Sequence, residues 1–306
     1  MFLRGINLYF GVMLLSKQTA VWLGYFLMAG SAFGQGNDAL FGQRQAHGYI
    51  DKPEINEASG LVASVAHRGC FWTHNDSGDE ARVFLVDDSA RCRATYNLAG
   101  IPAYDWEDIA MMERDGVHYL LIGDIGDNRG KRPDIQVHVV KEPAVPFETP
   151  IVDTLPNDQV GSYVLRYADG PRDAESLFFD PIDKQLYVIS KRELEVGVYT
   201  TVLPELPTDT LTLYKVGRLP HTFTTSAAIS PDGTEVLVKS LLEVFYWKRK
   251  PDESIADMFI RPAMRQPYDP EPQGEAITFA RDGTGYYTLG EAVLGMPSVL
   301  YFYPRF

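Results

Sequence analysis

The sequence predicts an all-β fold, and three of its features lead to that prediction. Its 306 residues include 17 Tyr, 16 Phe, 26 Gly and 20 Pro, a composition typical of strands joined by many turns. Helical periodicity of apolar residues is scarce, and short alternating or apolar runs bounded by turn residues dominate. A short segment, in which a polar residue opens a mostly apolar run, recurs five times along the chain.

The first element is an N-terminal segment, residues 1–34, that differs from the rest of the chain. It contains Arg4 and Lys17 but no acidic residue, and its apolar run Val21–Ala29 is followed by small residues. This order of basic, apolar and small residues predicts a signal peptide, and therefore a periplasmic or secreted protein with one mature domain over residues 35–306. The alternative is a retained N-terminal anchor. No later stretch of the sequence is apolar over enough residues to predict a transmembrane segment.

The recurring segment opens the first strand of each predicted repeat. A turn and a second strand follow each copy, and third and fourth strands are visible in most repeats. Four strands in about 50 residues, five times over, predict a five-bladed β-propeller of four-stranded blades. Six blades are the alternative, because the spacings are 48, 68, 51 and 49 residues and the longest has room for a divergent blade. The five copies are Ser59–Ser64, Glu107–Met112, Glu175–Asp180, Ser226–Ser230 and Glu275–Ala280.

The fourth strands and the closure of the ring complete this pattern. The last repeat ends at the C-terminus after three strands, and we expect Gln45–Ile50 to supply its outer strand and so remove an open edge. Residues 143–160, rich in Pro and Asp, are expected to form a surface loop. Fourth strands are predicted at Ala94–Leu98, Ser162–Tyr167, Leu211–Val216 and, on weaker evidence, Ile255–Ile260.

Charge and cysteine content limit the possible partners. The net charge of −13 argues against a nucleic-acid polymer as partner, because such a partner requires a basic face. An anionic ligand would need a metal ion or a local basic patch. The two cysteines, Cys70 and Cys92, could form a disulfide in an oxidising compartment, and two separate buried thiols are the alternative.

In a propeller, the residue that opens each innermost strand lies at one mouth of the central channel. Three carboxylates at one mouth repel one another, and a calcium ion, with its six to eight oxygen ligands, would compensate them. The absence of Cys and His from these positions argues against zinc or copper. We therefore predict one calcium ion at the mouth; the alternative is an ion-pair ring with Lys191, Arg192 and Lys239. The five predicted ligands are Ser59, Glu107, Glu175, Ser226 and Glu275.

The loops between second and third strands return to the same mouth. The first two loops are dense in Asp and Asn, which turn formation explains in part. Asp105 and Asp173, each two residues before a ring glutamate, are expected to orient ligands or waters. The candidate general bases for activating water are Asp76, Asp124 and Asp127. The candidate ligand-binding residues are His74, Asn75, Asn128, Lys191, Arg192, Lys239 and Glu291, with Lys191 and Arg192 expected to hold an anionic group.

Several strings resemble a group of uncharacterised secreted bacterial propeller proteins, a resemblance that implies no activity. They are Glu57-Ala-Ser-Gly-Leu, Thr73-His-Asn-Asp-Ser-Gly, Asp105-Trp-Glu-Asp-Ile-Ala and Gly123-Asp-Ile-Gly-Asp-Asn. More distantly, the order Ser, Glu, Glu, Ser, Glu at the inner strands resembles the calcium-dependent apyrases, five-bladed propellers that hydrolyse nucleoside diphosphates. In that family this set holds a central calcium, which implies the same role for the five predicted ligands. The basic residues that bind phosphate in apyrases have no recognisable counterpart here.

Three functions remain open at this point. The first is a binding or scaffold propeller with a structural calcium and a small-molecule or protein ligand on the channel-mouth face. The second is a calcium-dependent hydrolase of a phosphoester or phosphoanhydride. The third is a glycosidase or lactonase; a glycosidase needs two opposed carboxylates about 5–10 Å apart.

Overall fold

The protein is seen here as a computed structural model that describes residues 39–146, 150–206 and 209–306. The predicted signal peptide at residues 1–34, and the domain boundary after it, lie outside these residues. Within them the fold is all-β, as predicted, with a single helix of six residues, α1 (Ile255–Ile260). No helix in the described part of the chain is long and apolar enough to cross a membrane.

Twenty-one strands follow one another through the described residues. The first eleven are β1 (Gln45–Tyr49), β2 (Ala58–Ala63), β3 (Cys70–Asn75), β4 (Arg82–Asp87), β5 (Cys92–Leu98), β6 (Trp106–Arg114), β7 (Val117–Asp124), β8 (Ile135–Lys141), β9 (Ile151–Leu155), β10 (Val160–Tyr167) and β11 (Ala174–Phe179). The other ten are β12 (Gln185–Ser190), β13 (Val196–Val202), β14 (Leu211–Leu219), β15 (Thr224–Ile229), β16 (Glu235–Ser240), β17 (Val244–Lys248), β18 (Met264–Gln266), β19 (Gly274–Phe279), β20 (Gly285–Gly290) and β21 (Val299–Pro304). One turn of 3₁₀ helix, Asn157–Gln159, precedes β10. The first, second and third strands expected of each repeat are therefore present.

These strands form four sheets rather than five separate four-stranded ones. Two sheets have four strands, β15–β16–β17–β18 and β19–β20–β21–β1, and in the second of these β1 pairs antiparallel with β21 as expected. A third sheet has the order β2–β3–β4–β5–β9. The eight-stranded fourth sheet joins two antiparallel groups of four through a short parallel pairing of β10 with β14. Its edge strands, β6 and β11, lie against each other, so this sheet nearly closes on itself.

The segment Ile255–Ile260, predicted weakly as a strand, is instead the helix α1. Ser254 caps it by accepting a hydrogen bond from the backbone N–H of Asp257 at 3.1 Å. The helix buries Ile255, Met258 and Phe259, which have the i, i+3, i+4 spacing of one helical face. The fourth strand of that sheet is β18, which is only three residues long.

The segment 143–160 also differs from its prediction as a surface loop, because it contains β9. This strand pairs parallel with β5 and extends that sheet to five strands. The thiols of Cys70 and Cys92 are both free. Burial raises the pKa of the Cys70 thiol to about 11, which keeps it protonated at neutral pH.

The strands that open the repeats, β2, β6, β11, β15 and β19, lie side by side, and β19 in turn contacts β2. They therefore form a closed ring. Each carries a β-bulge near its start, where its pairing with the following strand skips a residue. A bulge leaves a residue unpaired and redirects its side chain, so the five bulges place side chains at one level of the ring. The bulged residues are Ser59–Gly60, Glu107, Glu175, Thr225 and Glu275.

One residue past the bulge of β6, the fully buried Asp108 connects three strands of the ring. Its carboxylate accepts four hydrogen bonds: from the backbone N–H of Ile109 (3.0 Å), Leu177 (3.0 Å) and Ala227 (3.2 Å), and from the hydroxyl of Ser226 (3.1 Å). Burial raises the pKa of Asp108 to about 8, although these four donors favour its ionised form. The residue is a structural junction between β6, β11 and β15, and the sequence analysis missed it.

Candidate metal centre

The bulged side chains define the start of the site. Ser59, Glu107 and Glu175 are all nearly inaccessible to solvent, and Glu275 is half-buried. The Ser59 hydroxyl donates to the backbone carbonyl of Glu107 at 2.5 Å, so it already has a partner within the protein. The carboxylates of Glu107 and Glu175 come together, which is the part of the predicted ring on which a metal site can be built.

The fourth ring position is occupied by Thr225 rather than by Ser226. The register pairs Thr224 with Ser240 and Ser226 with Lys239, which leaves Thr225 as the bulged residue. Ser226 lies at the level of Asp108 instead, and its hydroxyl donates to that carboxylate. The sequence could not show this difference of one position, because Thr225 and Ser226 are adjacent hydroxyl residues. Either of them fits the pattern of a polar residue at the start of an apolar run.

Two groups of three carboxylates meet at Glu107. The first group is Asp76, Asp105 and Glu107, and the second is Glu107, Asp173 and Glu175. Within each group one oxygen of every carboxylate lies within 4.8 Å of the others. Asp76 follows β3, whereas Asp105 and Asp173 precede β6 and β11. The site therefore combines the two sets of residues that the sequence placed at one mouth, the inner-strand glutamates and the loop carboxylates.

The first group has no direct cationic partner, and the charges of Lys191 and Arg132 act on it only from beyond ion-pair distance. None of its three carboxylates forms an ion pair with a described residue, and the Glu107 carboxylate accepts no hydrogen bond within the described part of the chain. Burial, with repulsion from Asp76 and Asp105, raises the pKa of Glu107 well above its usual range. Burial likewise raises the pKa of Asp76 to about 6 and raises that of Asp105. A bound cation would reverse these shifts, because it favours the ionised carboxylates.

The second group has partners from the protein itself. The Lys191 ammonium pairs with Oε1 of Glu175, and the Arg192 guanidinium pairs with Oδ2 of Asp173. The backbone N–H of Asp127 donates to the other oxygen of Asp173 at 2.9 Å. One atom is left over: Oε2 of Glu175 is buried and has no hydrogen-bond partner among the described residues. An unpaired buried carboxylate oxygen beside Glu107 is a position from which a metal can be bound.

Lys239 does not take part in an ion-pair ring. It is fully buried, and no carboxylate of the described residues lies within 4.0 Å of its ammonium. The ammonium donates to the backbone carbonyl of Gly274 and to the Thr225 hydroxyl (3.3 Å), and lies 4.9 Å from the centre of the Tyr268 ring. Burial lowers the pKa of Lys239 to about 8. Its contacts are those of a structural residue that joins β15, β16 and β19.

Of the three candidate general bases, only Asp76 lies in an acidic group. Asp124 is buried, accepts from the backbone N–H of Tyr104 at 3.1 Å and forms an ion pair with Arg132 at 2.7 Å. The Asp127 carboxylate accepts from the backbone N–H of Arg132 at 2.6 Å. Both carboxylates hold the loop after β7 in place, and this use leaves them poorly suited to accept a proton from water.

The predicted binding residues in the first loop, His74 and Asn75, already have hydrogen-bond partners within the protein. His74 is buried, its Nδ1 lies 2.8 Å from the carbonyl of Asn75, and burial lowers its pKa to about 4, so it is neutral at pH 7. The Asn75 amide donates to the carbonyl of Glu54 (2.6 Å) and to Asp79 (2.7 Å).

Three predicted residues remain near solvent at the mouth. Asn128 is exposed and accepts a hydrogen bond from Arg192, whose side chain is 44% exposed. Glu291 accepts a hydrogen bond from Gln273. Burial and the neighbouring charge of Glu275 raise the pKa of Glu291 to about 7.

A glycine in the loop after β7 makes room for the first group. A Cβ at Gly126 would overlap Oε1 of Glu107 and crowd the Asp105 carboxylate. The Gly126 N–H also donates to the backbone carbonyl of Asp105 at 3.1 Å. The Gly123-Asp-Ile-Gly126 string therefore serves to bring backbone close to two carboxylates, a role for glycine that requires no helix.

No known protein-family model and no curated protein sequence matches this chain. The chemistry of the site must therefore come from its donors. They are five carboxylates with no thiolate or imidazole among them, a set that suits a hard divalent cation such as calcium. The residues that could hold the ion are Asp76, Asp105, Glu107, Asp173 and Glu175.

Proposed function

We propose that the strands form a five-bladed β-propeller. The closed ring of β2, β6, β11, β15 and β19 supports this proposal, since each of these strands begins a group of four. The eight-stranded sheet then corresponds to two blades joined at β10 and β14, and β9 is an additional outer strand. In this arrangement β1 completes the last blade, which closes the ring with strands from both ends of the domain.

We propose that this domain binds one calcium ion between the two acidic groups, and that the ion binds an anionic ligand at the channel mouth. The observation that carries the proposal is the Glu107 carboxylate, which is buried, shared by both groups and without a donor from the described residues. Calcium takes carboxylate oxygens in one- or two-point contact and completes its shell with water or ligand oxygens. The exposed guanidinium of Arg192 is well placed to contact an anion beside the ion.

A calcium-dependent hydrolase acting on a phosphoester or phosphoanhydride is the second candidate. Two cations, Lys191 and Arg192, lie beside the acidic groups and could hold phosphate oxygens, and a calcium ion held by these groups would supply Lewis-acid polarisation of the phosphoryl group. Asp76 is the candidate base for the attacking water. This activity is also the one implied by the resemblance to apyrases. The signal-peptide pattern of residues 1–34 supports action in the periplasm or outside the cell.

The test of the calcium site is metal analysis of the purified protein combined with melting curves in calcium and in chelator. We expect one tightly bound calcium per chain and a melting temperature about 5 °C or more lower in chelator, since saturating ligand adds about 2.7 kcal/mol at a hundred times its Kd. Glu107→Gln should remove both the ion and the chelator effect. Glu113→Gln, at the other end of β6, is the matched control. Metal-free protein with identical melts would contradict the proposal.

The hydrolase candidate is tested separately, with nucleoside diphosphates and p-nitrophenyl phosphate in calcium. Phosphate release that is lost in chelator and in Asp76→Asn would support it. If the protein binds calcium but releases no phosphate, the binding function remains and the hydrolase is excluded for these substrates.

A further inference from the structure

A second feature of the ring is a cavity of about 250 Å³ at the end opposite the acidic groups. The inner strands begin at the acidic groups and end at this cavity, since its walls come from the later residues of all five strands. It is thus separated from the metal centre by the level of Asp108. Its wall residues on these strands include Val62, Met111, Phe178, Ala228, Ile229 and Phe279.

The exposed Arg281 lines the cavity, and its guanidinium has no hydrogen bond or ion pair with any described residue. The nearby acidic side chains are already occupied. Glu142, whose charge acts on Arg281, accepts hydrogen bonds from the Ser64 hydroxyl (2.6 Å) and from the Trp72 indole (3.0 Å).

Two further acidic residues at this end, Glu113 and Asp282, are also engaged. Glu113, which lines the cavity, pairs with Lys184 at 3.2 Å and accepts from the backbone of Gly116. Asp282 accepts from the hydroxyl of Thr284 at 2.6 Å. In a chain with a net charge of −13, a cation with no direct hydrogen-bond or ion-pair partner among the described residues, beside a cavity lined mainly by apolar side chains, suits the binding of an anion.

We propose that this cavity binds an amphipathic carboxylate, with its apolar chain among the ends of the inner strands and its carboxylate on Arg281. A cavity of this volume has room for a short alkyl chain, and octanoate is the probe that we use for it. A guanidinium binds a carboxylate through two parallel hydrogen bonds, a geometry that an alcohol or an amine cannot reproduce. This site does not depend on the calcium proposal.

The experiment is calorimetric titration of the purified protein with three ligands of equal chain length: octanoate, octan-1-ol and octylammonium. We expect octanoate to bind most tightly and octylammonium least, both in calcium and in chelator. Arg281→Gln should weaken octanoate binding about tenfold and leave octanol unchanged. Arg265→Gln, which removes an exposed cation of β18 that is paired with Glu243, is the control and should leave all three unchanged.

A cavity-filling variant tests the location. Ala228→Leu should abolish octanoate binding while the melting temperature stays within a few degrees of the wild type. If this variant does not fold, the comparison of Arg281→Gln with Arg265→Gln still decides the question. No octanoate binding at millimolar concentration, equal effects of the two arginine variants, or octylammonium binding as tightly as octanoate would each overturn the proposal.

Discussion

The two acidic groups that share Glu107 differ in the origin of their compensating charge. In the second group the protein supplies its own cations, Lys191 on Glu175 and Arg192 on Asp173. In the first group, Asp76 and Asp105 receive no such partner from the described residues. The sequence presented the ion-pair ring and the metal site as alternatives. The second group has the ion pairs expected of the ring, and the first group has the unpaired carboxylates expected of a metal site.

The sequence difference behind this contrast lies in the loops that follow the second strands. After β12 the loop opens with Lys191 and Arg192, directly beside the start of β11. After β3 the corresponding position carries Asp76, and after β7 it carries the uncharged Ile125, so the first loop adds negative charge where the third adds positive charge. A buried charge without a partner lowers the stability of the fold. Such charges are therefore found mainly at sites that bind a ligand or an ion.

The largest expected effect comes from a neighbour of Glu107 in the sequence. The Asp108 carboxylate accepts four hydrogen bonds, whereas the Glu107 carboxylate accepts none from the described residues. We therefore expect Asp108 to stabilise the fold and Glu107 to bind the ion. Asp108→Ala should reduce the free energy of unfolding by about 4 kcal/mol or more, because three backbone N–H groups and one hydroxyl lose their acceptor. Urea denaturation in chelator measures it. A loss of under 1 kcal/mol would show that these hydrogen bonds are not needed to hold the ring together.

The next largest effect tests whether the first group holds the ion. Gly126→Ala should displace the carboxylates of Glu107 and Asp105 and weaken calcium binding at least a hundredfold. Calcium titration followed by melting temperature measures this change. Gly217→Ala, in β14, is the control for adding a methyl group to a glycine, because its backbone is not left-handed and a Cβ there meets nothing closer than 3.9 Å. Unchanged calcium affinity in Gly126→Ala would place the ion elsewhere.

Removing a cation from the second group should make the two halves alike. In Lys191→Met the Glu175 carboxylate loses its partner, and we expect calcium to bind about tenfold more tightly because both of its oxygens become available. The same variant should be less stable than the wild type in chelator. Calcium affinity and chelator melting curves are the two measurements. Weaker calcium binding in Lys191→Met would mean that the lysine positions Glu175 for the ion instead of competing with it.

Particular residues show how far the sequence could lead. The polar residue before each apolar run marked the inner strands, because a bulge and a buried strand leave that local pattern. It could not distinguish Thr225 from Ser226, since a bulge shifts register by one residue without changing composition. Asp108 was missed because three of its four donors come from β11 and β15, two strands distant in sequence.

The same limit applies to β9 and to the first acidic group. β9 is a strand only because β5 offers it an edge, and no pattern in residues 143–160 shows that edge. Asp105 and Asp173 were expected to orient ligands, and their position two residues before a ring glutamate was enough to bring them to the mouth. Which of the mouth carboxylates would have cationic partners depended on loop conformation. Local sequence therefore located the site but not its charge balance.

The smallest expected effect is the pH dependence of the metal-free protein. The carboxyl of Asp76 titrates near 3.8 in the unfolded chain and, because of burial and the charges of Asp105 and Glu275, at about 6 in the folded chain. Because the folded chain holds the Asp76 proton more tightly than the unfolded chain does, this proton contributes its full stabilisation below pH 3.8. The stabilisation is lost as the pH rises through 6. With allowance for partial exposure, metal-stripped wild type should lose about 1 kcal/mol more unfolding free energy than Asp76→Asn between pH 4 and pH 7.

Urea unfolding at several pH values measures the difference, and calcium should remove it at pH 7 because the ion favours the ionised carboxylate. Parallel pH profiles for the two proteins without metal would show that Asp76 is well solvated and that the first group is not the strained, uncompensated half of the mouth.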